Sequence, residues 1–334
     1  MLTLLLFAFL LAILLTGFIR RYALHQNVMD IPNHRSAHVM PTPRGGGVAF
    51  VFTLLITVPC MHAYGFLTPE GSVALMSAGV FVATLGFLDD HGHLNIGLRL
   101  LGHATAALLA LYWMKGFPSI VVFGHLYASG WLLNIFGFFY FIWMINLYNF
   151  MDGMDGLAAS EAACVCLSAA FIYWLCNDTG LVVLPLVLAA SVLGFLVWNW
   201  PSARIFMGDA GSGFLGFIMA VLSLQATHMY PHLFWSWLIL LGVFIVDATY
   251  TILRRAYQKE KIYEAHARHA YQCAGRLLKS HLYVTLSVIA INICWLAPIA
   301  IFVGLNRLDG VLGLTIAYSP LLILAIKLGA GKKA

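Results

Sequence analysis

Carboxylates gather at a few points of a chain that otherwise carries little charge. Asp89 and Asp90 stand together in Phe87-Leu-Asp-Asp-His-Gly-His93, at the end of a long apolar run. Asp152 and Asp155 close the string Asn146-Leu-Tyr-Asn149-Phe-Met-Asp152-Gly-Met-Asp155-Gly156. Asp209 lies in Phe206-Met-Gly-Asp-Ala-Gly-Ser-Gly213, where another apolar run begins. An acid near the centre of a membrane helix costs roughly 2.5–3.5 kcal/mol on insertion scales, and less near the interface. Acids repeated at the ends of apolar runs therefore call for a bound cation or a basic partner. Asp89 and Asp90 would also oppose the dipole at a helix C-terminus, which strengthens that demand. Asp209 opens a glycine-flanked helix start, whose first N–H groups suit phosphate, and Mg²⁺ is commonly held by one or two carboxylates together with substrate phosphates.

The string from Asn146 to Gly156 places polar residues every three positions. In a regular α-helix such a stripe drifts by about 60° per step, so Asn146 would face away from Asp155. Gly153 and Gly156 permit a tightening or a break. The spacing thus predicts non-α backbone between Phe150 and Gly156 that brings Asn149, Asp152 and Asp155 to one site. Polar gluing of helices would account for the two Asn but not for two Asp and two Gly.

Basic residues concentrate elsewhere. The segment 254–280 holds seven Lys and Arg, and Arg254, Arg255, Lys259 and Lys261 read as an anchor on the cytoplasmic side. His266, Arg268 and His269 are compact and aromatic-flanked, which reads as a site for an anionic substrate. In the first loop, from Asp30 through Arg35 and His38, Arg44 precedes the run Gly45-Gly46-Gly47, a second combination suited to phosphate.

The elements that must position these residues follow from composition. Of 334 residues 62% are hydrophobic and 9% charged, against roughly 25% charged in soluble domains. The mean hydropathy of +0.90 is spread along the chain without a long polar block, which excludes a soluble domain and a soluble enzyme on a single anchor. Stretches such as 181–198 are continuously apolar, unlike the alternating strands of porins. The net charge of +5 reports topology and does not point to nucleic acid. Six cysteines without Cys-x-x-Cys pairing read as apolar core residues. The expected fold is an all-α polytopic membrane protein, one catalytic domain over 1–334.

Eleven apolar runs can be drawn, at 2–19, 45–63, 71–88, 99–115, 129–148, 157–176, 181–198, 210–229, 234–253, 281–303 and 310–328. The first lacks a basic leader region and a small-residue cleavage site, so it is expected to remain as a span with its N-terminus outside. By parity the segments 20–44, 89–99, 149–156, 199–209, 254–280 and the C-terminus then share one face. Sixteen of the eighteen Lys and Arg lie there, leaving Lys115 and Arg307 opposite, so that face is expected to be cytoplasmic. It also collects Asp30, Asp247, Glu260 and Glu264 with the acids already named, which puts the chemistry at the cytoplasmic membrane surface.

These strings, in this order and at these helix ends, resemble the family of polyprenyl-phosphate N-acetylhexosamine-1-phosphate transferases, relatives of the phospho-N-acetylmuramoyl-pentapeptide translocase. The resemblance runs from about Asp30 to Gln272, and its most specific parts are Asp89-Asp90, Asn149-x-x-Asp152-Gly-x-Asp155-Gly and Met207-Gly-Asp209-x-Gly-Ser. It implies transfer of a sugar 1-phosphate from a UDP-N-acetylhexosamine to undecaprenyl phosphate or a similar lipid, with release of UMP. It also implies Mg²⁺, with Mn²⁺ as a substitute, and a place in the bacterial inner membrane. Carried over by motif, Asp209 becomes a metal ligand, and Asn149, Asp152 and Asp155 belong to the nucleotide and metal site, Asp155 as a second ligand. Asp89 and Asp90 lie near the lipid phosphate, and His266, Arg268 and His269 over the sugar diphosphate. Asn146 and Arg44 join the substrate-binding set, and Asp89, Asp90, Asp152, Asp155 and His269 the catalytic one.

Two departures from the translocase branch stand out. His91-Gly-His93 replaces a lysine after the acid pair, and His266-Ala-Arg268-His269 replaces consecutive histidines. Both favour the hexosamine branch that starts O-antigen or other envelope glycans, and leave Arg99 or Arg44 to take over phosphate handling from the lysine. The sugar and the oligomeric state, a homodimer among the options, are left open. An ion-coupled transporter would carry its acids near the midplane in repeated broken helices, whereas these acids are end-loaded. An intramembrane aspartyl protease would want Gly-x-Gly-Asp, and a CDP-alcohol phosphotransferase its own longer Asp-Gly string; neither is present.

Overall fold

A computed structural model describes residues 1–32, 40–92, 94–264 and 266–333. The chain is a helical bundle. In order it contains α1 (Leu2–His25), α2 (Val48–Ala63), α3 (Pro69–Ala74), α4 (Val80–Gly92), α5 (Ile96–Trp113), α6 (Trp131–Met151), α7 (Leu157–Leu175) and α8 (Thr179–Asn199). There follow α9 (Asp209–Met229), α10 (Leu233–Leu240), α11 (Gly242–Tyr257), α12 (Ala270–Leu278), α13 (His281–Ile291), α14 (Ala297–Gly304) and α15 (Gly310–Lys327). A π-turn at Leu75–Gly79 joins α3 to α4, and another at Asn292–Leu296 joins α13 to α14.

Among the described residues nine helices are long and apolar enough to cross a membrane, counting each π-linked pair as one, and a bent pair makes ten. Each of the eleven apolar runs coincides with a helix. Val48–Ala63, however, is only 16 residues long. The run 234–253 is not one rod: α10 and α11 meet at 71°. A Cβ at Gly242, the first residue of α11, would lie 3.1 Å from the Tyr318 ring and 3.3 Å from Leu296 and Leu321, so the bend wraps neighbouring helices closely.

Helix starts follow local chemistry. Asn95 accepts from Leu98 N–H at 2.8 Å and Asp178 from Leu181 N–H at 3.1 Å, ordinary side-chain caps. The outermost helix is α1, with 17% of its apolar window buried, and the axis of the bundle is α9, with 94%. Both α4 and α6 pack on α9. Gly86 makes the α4 approach close, since a Cβ there would sit 2.4 Å from the Asp209 carbonyl oxygen. Three helix ends bearing Asp90, Asn149 and Asp209 are thereby drawn to one end of the bundle.

Two features depart from the expected pattern. Short antiparallel pairs occur in the connections: β1 (Met29–Asp30) with β2 (Thr42–Pro43), and β3 (Ile120–Val122) with β4 (His125–Tyr127). The first pair leads directly into Arg44. And one acid lies inside the bundle instead of at its end: Glu161 of α7 is fully buried, and Asn292 in the second π-turn donates its amide N–H to Glu161 Oε2.

Candidate active site

The last turn of α4 delivers Asp89 and Asp90, both buried, in different directions. Asp90 turns to α9. Its Oδ1 accepts the Asp209 N–H at 3.0 Å and its Oδ2 the Ala210 N–H at 3.2 Å, so a carboxylate from another helix caps α9 where no local side chain does. Gly208 has φ 79°, and a Cβ there would lie 2.7 Å from Asp90 Oδ2; glycine serves both the left-handed turn and the cap's approach. The Arg44 guanidinium donates to the Asp90 carbonyl oxygen, and its Nε is 3.9 Å from Asp90 Oδ1.

This corrects the expectation that the two glycine strings cradle phosphate. The first N–H groups of α9 are occupied by Asp90. In the other string Gly46 N–H donates to the Phe206 carbonyl at 2.9 Å and Gly47 N–H to that of Met207 at 2.8 Å, while Phe206 N–H donates to the Pro43 carbonyl at 2.8 Å. The strings bond to each other.

Asp89 faces α5. Its Oδ1 accepts from Leu94 N–H at 2.7 Å, and its Oδ2 is 2.9 Å from Arg99 Nη1, which also stands 3.9 Å from Asp209 Oδ2. Arg99 therefore bridges Asp89 and Asp209. A water-sized recess of about 10 Å³ lies among Asp89, Arg99, His103, Asn149 and Asp209.

The break after α6 falls where the polar spacing required it. The helix ends at Met151, and non-helical backbone runs from Asp152 to Gly156. Asp152 N–H reaches the Asn149 carbonyl at 3.4 Å, and Gly156 has φ 70°. Asn199, at the end of α8, fixes the break by accepting Gly156 N–H at 3.0 Å and donating to the Ile205 carbonyl at 2.9 Å. Asn149 donates to Asp209 Oδ1 at 2.7 Å and to Ser212 Oγ at 3.2 Å.

Asp152 and Asp155 line one cavity of about 140 Å³ together with Asp30, Arg44, Asp90, Asn199, Asp209 and His281. Burial, reinforced by the negative charges of Asp209 and Asp90, holds the Asp152 carboxyl well above the usual carboxylate range. Asp155 has both oxygens engaged: Oδ2 accepts from Ala203 N–H at 3.0 Å, and Oδ1 is 3.2 Å from His281 Nδ1. Asn146, expected in the substrate-binding set, does not line this cavity. Its amide nitrogen donates to the Ile142 carbonyl at 2.7 Å and to His103 Nδ1 at 3.1 Å, facing α5 as the drift of the stripe requires.

His266, Arg268 and His269 do not line it either. Asp247 of α11 caps α12 as Asp90 caps α9, accepting Ala270 N–H at 2.7 Å and Tyr271 N–H at 2.9 Å. His269 is buried beside that cap, its Nδ1 3.3 Å from Asp247 Oδ1, and stacks on His266 and Phe150 with ring centroids 4.8 and 6.3 Å away. Arg268 engages both oxygens of Glu260, which also accepts from Arg255 Nε at 3.0 Å; these hydrogen bonds, that of Arg268 foremost, hold the Glu260 carboxyl well below its usual range. Burial, then the nearness of His269, Arg255 and Arg268, push the His266 imidazole down to about 3. The segment adjoins the site through Tyr271, whose hydroxyl donates to the Phe150 carbonyl at 3.0 Å.

His281 and Asn199 are the cavity residues that sequence reasoning missed. Lys279-Ser280-His281 stands at the head of an apolar run and Asn199 just past the end of another, with no motif around either to mark it. Arg35, His38 and His93 lie outside the described residues.

Comparison with known proteins matches residues 72–227 to the model for glycosyl transferase family 4. A Bacillus subtilis protein named "Probable undecaprenyl-phosphate N-acetylglucosaminyl 1-phosphate transferase" is 30% identical over 284 residues, covering 84% of this chain and 77% of the relative. A decaprenyl-phosphate N-acetylglucosaminephosphotransferase of Mycobacterium tuberculosis is 31% identical over 63% of this chain and 56% of its own length. A phospho-N-acetylmuramoyl-pentapeptide-transferase of Bacillus licheniformis is 27% identical, over 74% of this chain and 80% of the relative.

Proposed function

We propose, from the premise that this chain belongs to glycosyl transferase family 4, that it transfers an N-acetylhexosamine 1-phosphate from a UDP-sugar to a membrane polyprenyl phosphate such as undecaprenyl phosphate, releasing UMP. The observation that carries this reading is the shared setting of Asp209. Its carboxylate meets Asn149 and Arg99 on one side and opens, with Asp152, onto a cavity at the end of the bundle. A transfer between two anionic phosphates needs positive charge over the reacting groups and exact alignment of both; acids in a transporter would instead be expected at mid-membrane in repeated broken helices.

In the proposed reaction an oxygen of the lipid phosphate forms a bond to the sugar-bearing phosphorus of the UDP-sugar. The bond from that phosphorus to the bridging oxygen breaks, and UMP keeps both the oxygen and the bonding electrons. Asp152 and Asp209 form a donor set suited to Mg²⁺, with Mn²⁺ as a substitute. Both carboxylates line one cavity, which suits a cation that takes its other ligands from phosphate and water. Such a cation, when bound, neutralises diphosphate charge. Asp155, with both oxygens occupied by protein, fits an orienting role better than that of a ligand. Arg99 holds Asp89 and Asp209 in register, and Asn149 fixes one oxygen of Asp209 so that the other is aimed.

If the 16-residue α2 and the bent α10–α11 pair each count as a span beside the nine long ones, the chain makes eleven, and with the N-terminus outside and the C-terminus inside that parity would set the active site facing the cytoplasm at the bacterial inner membrane. The histidine departures support a hexosamine substrate and a start of O-antigen or another envelope glycan. The purified protein, given Mg²⁺, a panel of labelled UDP-N-acetylhexosamines and a polyprenyl phosphate, tests this. UMP release that requires the lipid phosphate, and stops with EDTA, is the expected result. No UMP from any member of the panel would overturn the reading.

A further inference from the structure

Arg99 Nη1 stands 3.9 Å from Asp209 Oδ2, too far for a direct hydrogen bond. Polar groups separated by more than about 3.5 Å are commonly joined through a water. The recess among Asp89, Arg99, His103, Asn149 and Asp209 lies at this gap and has a volume of about 10 Å³. That is close to the smallest space, roughly 10–15 Å³, that holds one water, and a water so held needs about two to four polar partners.

His103 brings a partner of defined chemistry. It is buried and follows Arg99 by one turn of α5, on the same face. Asn146 Nδ2 lies 3.1 Å from His103 Nδ1. An amide nitrogen only donates, so Nδ1 is the acceptor, and in the neutral imidazole the proton then sits on Nε2. The other N–H of Asn146 is anchored to the Ile142 carbonyl at 2.7 Å, which holds the amide in place. The ring therefore carries an N–H donor on the edge away from Asn146. Guanidinium and imidazole donors here meet the carboxylates of Asp89 and Asp209 around one small space. A cation would face N–H groups there, whereas a water accepts from the donors and donates to the carboxylates.

We infer that this recess is a site for one bound water, which accepts the His103 Nε2–H and donates to Asp209 Oδ2, and that His103 and Asn146 are thereby positioning residues for Asp209. This rests on the transferase reading above, in which Asp209 faces the substrates. A carboxylate oxygen has two lone pairs, so the water holds one on Oδ2 and leaves the other to the cavity. A neutral ring does this without adding charge beside the reacting groups. Partners that orient a ligating carboxylate are worth about 10- to 100-fold in affinity or activity.

Steady-state UMP release by the full-length protein tests the chain from Asn146 through His103 and the water to Asp209. His103→Met removes the ring's N–H, while His103→Gln returns an amide N–H near the Nε2 position and an oxygen for Asn146. We expect His103→Met to lower kcat about 10- to 100-fold, with KM for both substrates within about threefold of the parent, and His103→Gln to recover most of that loss. Asn146→Leu should also lower kcat, and the double variant should be little worse than His103→Met alone. A kcat for His103→Met within about twofold of the parent would overturn the inference. So would equal losses in His103→Met and His103→Gln, the mark of a packing role in which the donor does not matter, or additive losses in the double variant. If His103→Met does not fold, or if the parent releases no UMP and the transferase reading falls, a high-resolution experimental structure of the parent decides the water site. A water within hydrogen-bond distance of both His103 Nε2 and Asp209 supports it; a cation in that place, or a His103 Nε2 bonded to another protein group, overturns it.

Discussion

Asp90 Oδ1 lies 3.0 Å from the backbone nitrogen of Asp209, so one half of the acid pair acts on the third acid through the main chain. The two acids should respond differently to substitution. Asp90→Ala leaves the Asp209 and Ala210 N–H groups without their cap and should destabilise the fold by about 1–2 kcal/mol, with turnover lost because the frame of Asp209 moves. Asp209→Asn removes a charge from a crowded cluster and keeps the hydrogen-bonding shape. We expect turnover to fall roughly 100-fold or more with the unfolding midpoint unchanged or raised. Unfolding and UMP release measured on the same preparations check this; equal destabilisation by both variants would contradict it.

The break after α6 depends on a close contact. A Cβ at Gly153 would sit 2.1 Å from the Tyr271 hydroxyl oxygen, which is hydrogen-bonded to the Phe150 carbonyl. Gly153→Ala should therefore push the long basic segment away from Asp152, at a cost of about 1–3 kcal/mol for overpacking. Combining it with Tyr271→Leu should relieve part of that cost, giving clear non-additivity in a double-mutant cycle. Additive effects would show that the two residues do not press on each other.

Protonation of His266 should loosen the same segment. Its imidazole is pushed down to about 3 against an ordinary value near ~6.5, so between those values the unfolded segment binds a proton that the folded one does not. Stability then falls as pH drops below the unfolded value, and rises with pH across that window. From pH 7 to 5 the full effect would approach about 2 kcal/mol, reduced to about 1 kcal/mol because the ring is part-exposed. Hydrogen exchange across 254–280 should speed up accordingly, and His266→Gln should flatten the pH dependence. Exchange that is insensitive to pH after correction for its intrinsic rate would count against this.

Periodicity carried the sequence reading furthest where one residue type had one physical reason. The drift of the stripe from Asn146 to Gly156 placed a break between Phe150 and Gly156, and the helix in fact continues through Met151; the same drift was set aside when Asn146 was put in the substrate-binding set, whereas it turns to His103. Apolar length located every long helix. What stayed hidden was partnership across distance. Nothing local in Gly208-Asp209 tells that Asp90, over a hundred residues earlier, occupies the helix start, so the glycine string looked open to phosphate. Asp247 is hidden in the same way beneath His269 and α12. The bend between α10 and α11 was equally invisible, because Leu241-Gly242 is as apolar as its surroundings and the close packing comes from Tyr318, Leu296 and Leu321.

The last expectation concerns Asp89, first of the acid pair and a natural candidate for a base that deprotonates the lipid phosphate. A phosphate monoester has a second pKa near ~6, so at pH 7 the acceptor is already mostly dianionic and gains little from a base. The geometry agrees with another role: Asp89 Oδ1 is engaged by Leu94 N–H and Oδ2 by Arg99, which also reaches towards Asp209. A carboxylate held at both oxygens is suited to fixing Arg99, and positioning of charge dominates phosphoryl transfer. The two roles separate by pH. Were Asp89 a base, Asp89→Asn should regain parental rates as pH rises to about 8.5, where the acceptor ionises unaided. As an organiser of Arg99 its loss should persist across that range, and Arg99→Gln should cost a similar factor, with the double variant little worse than either single one. Alkaline recovery of Asp89→Asn, or additive losses in the double variant, would restore the general-base reading.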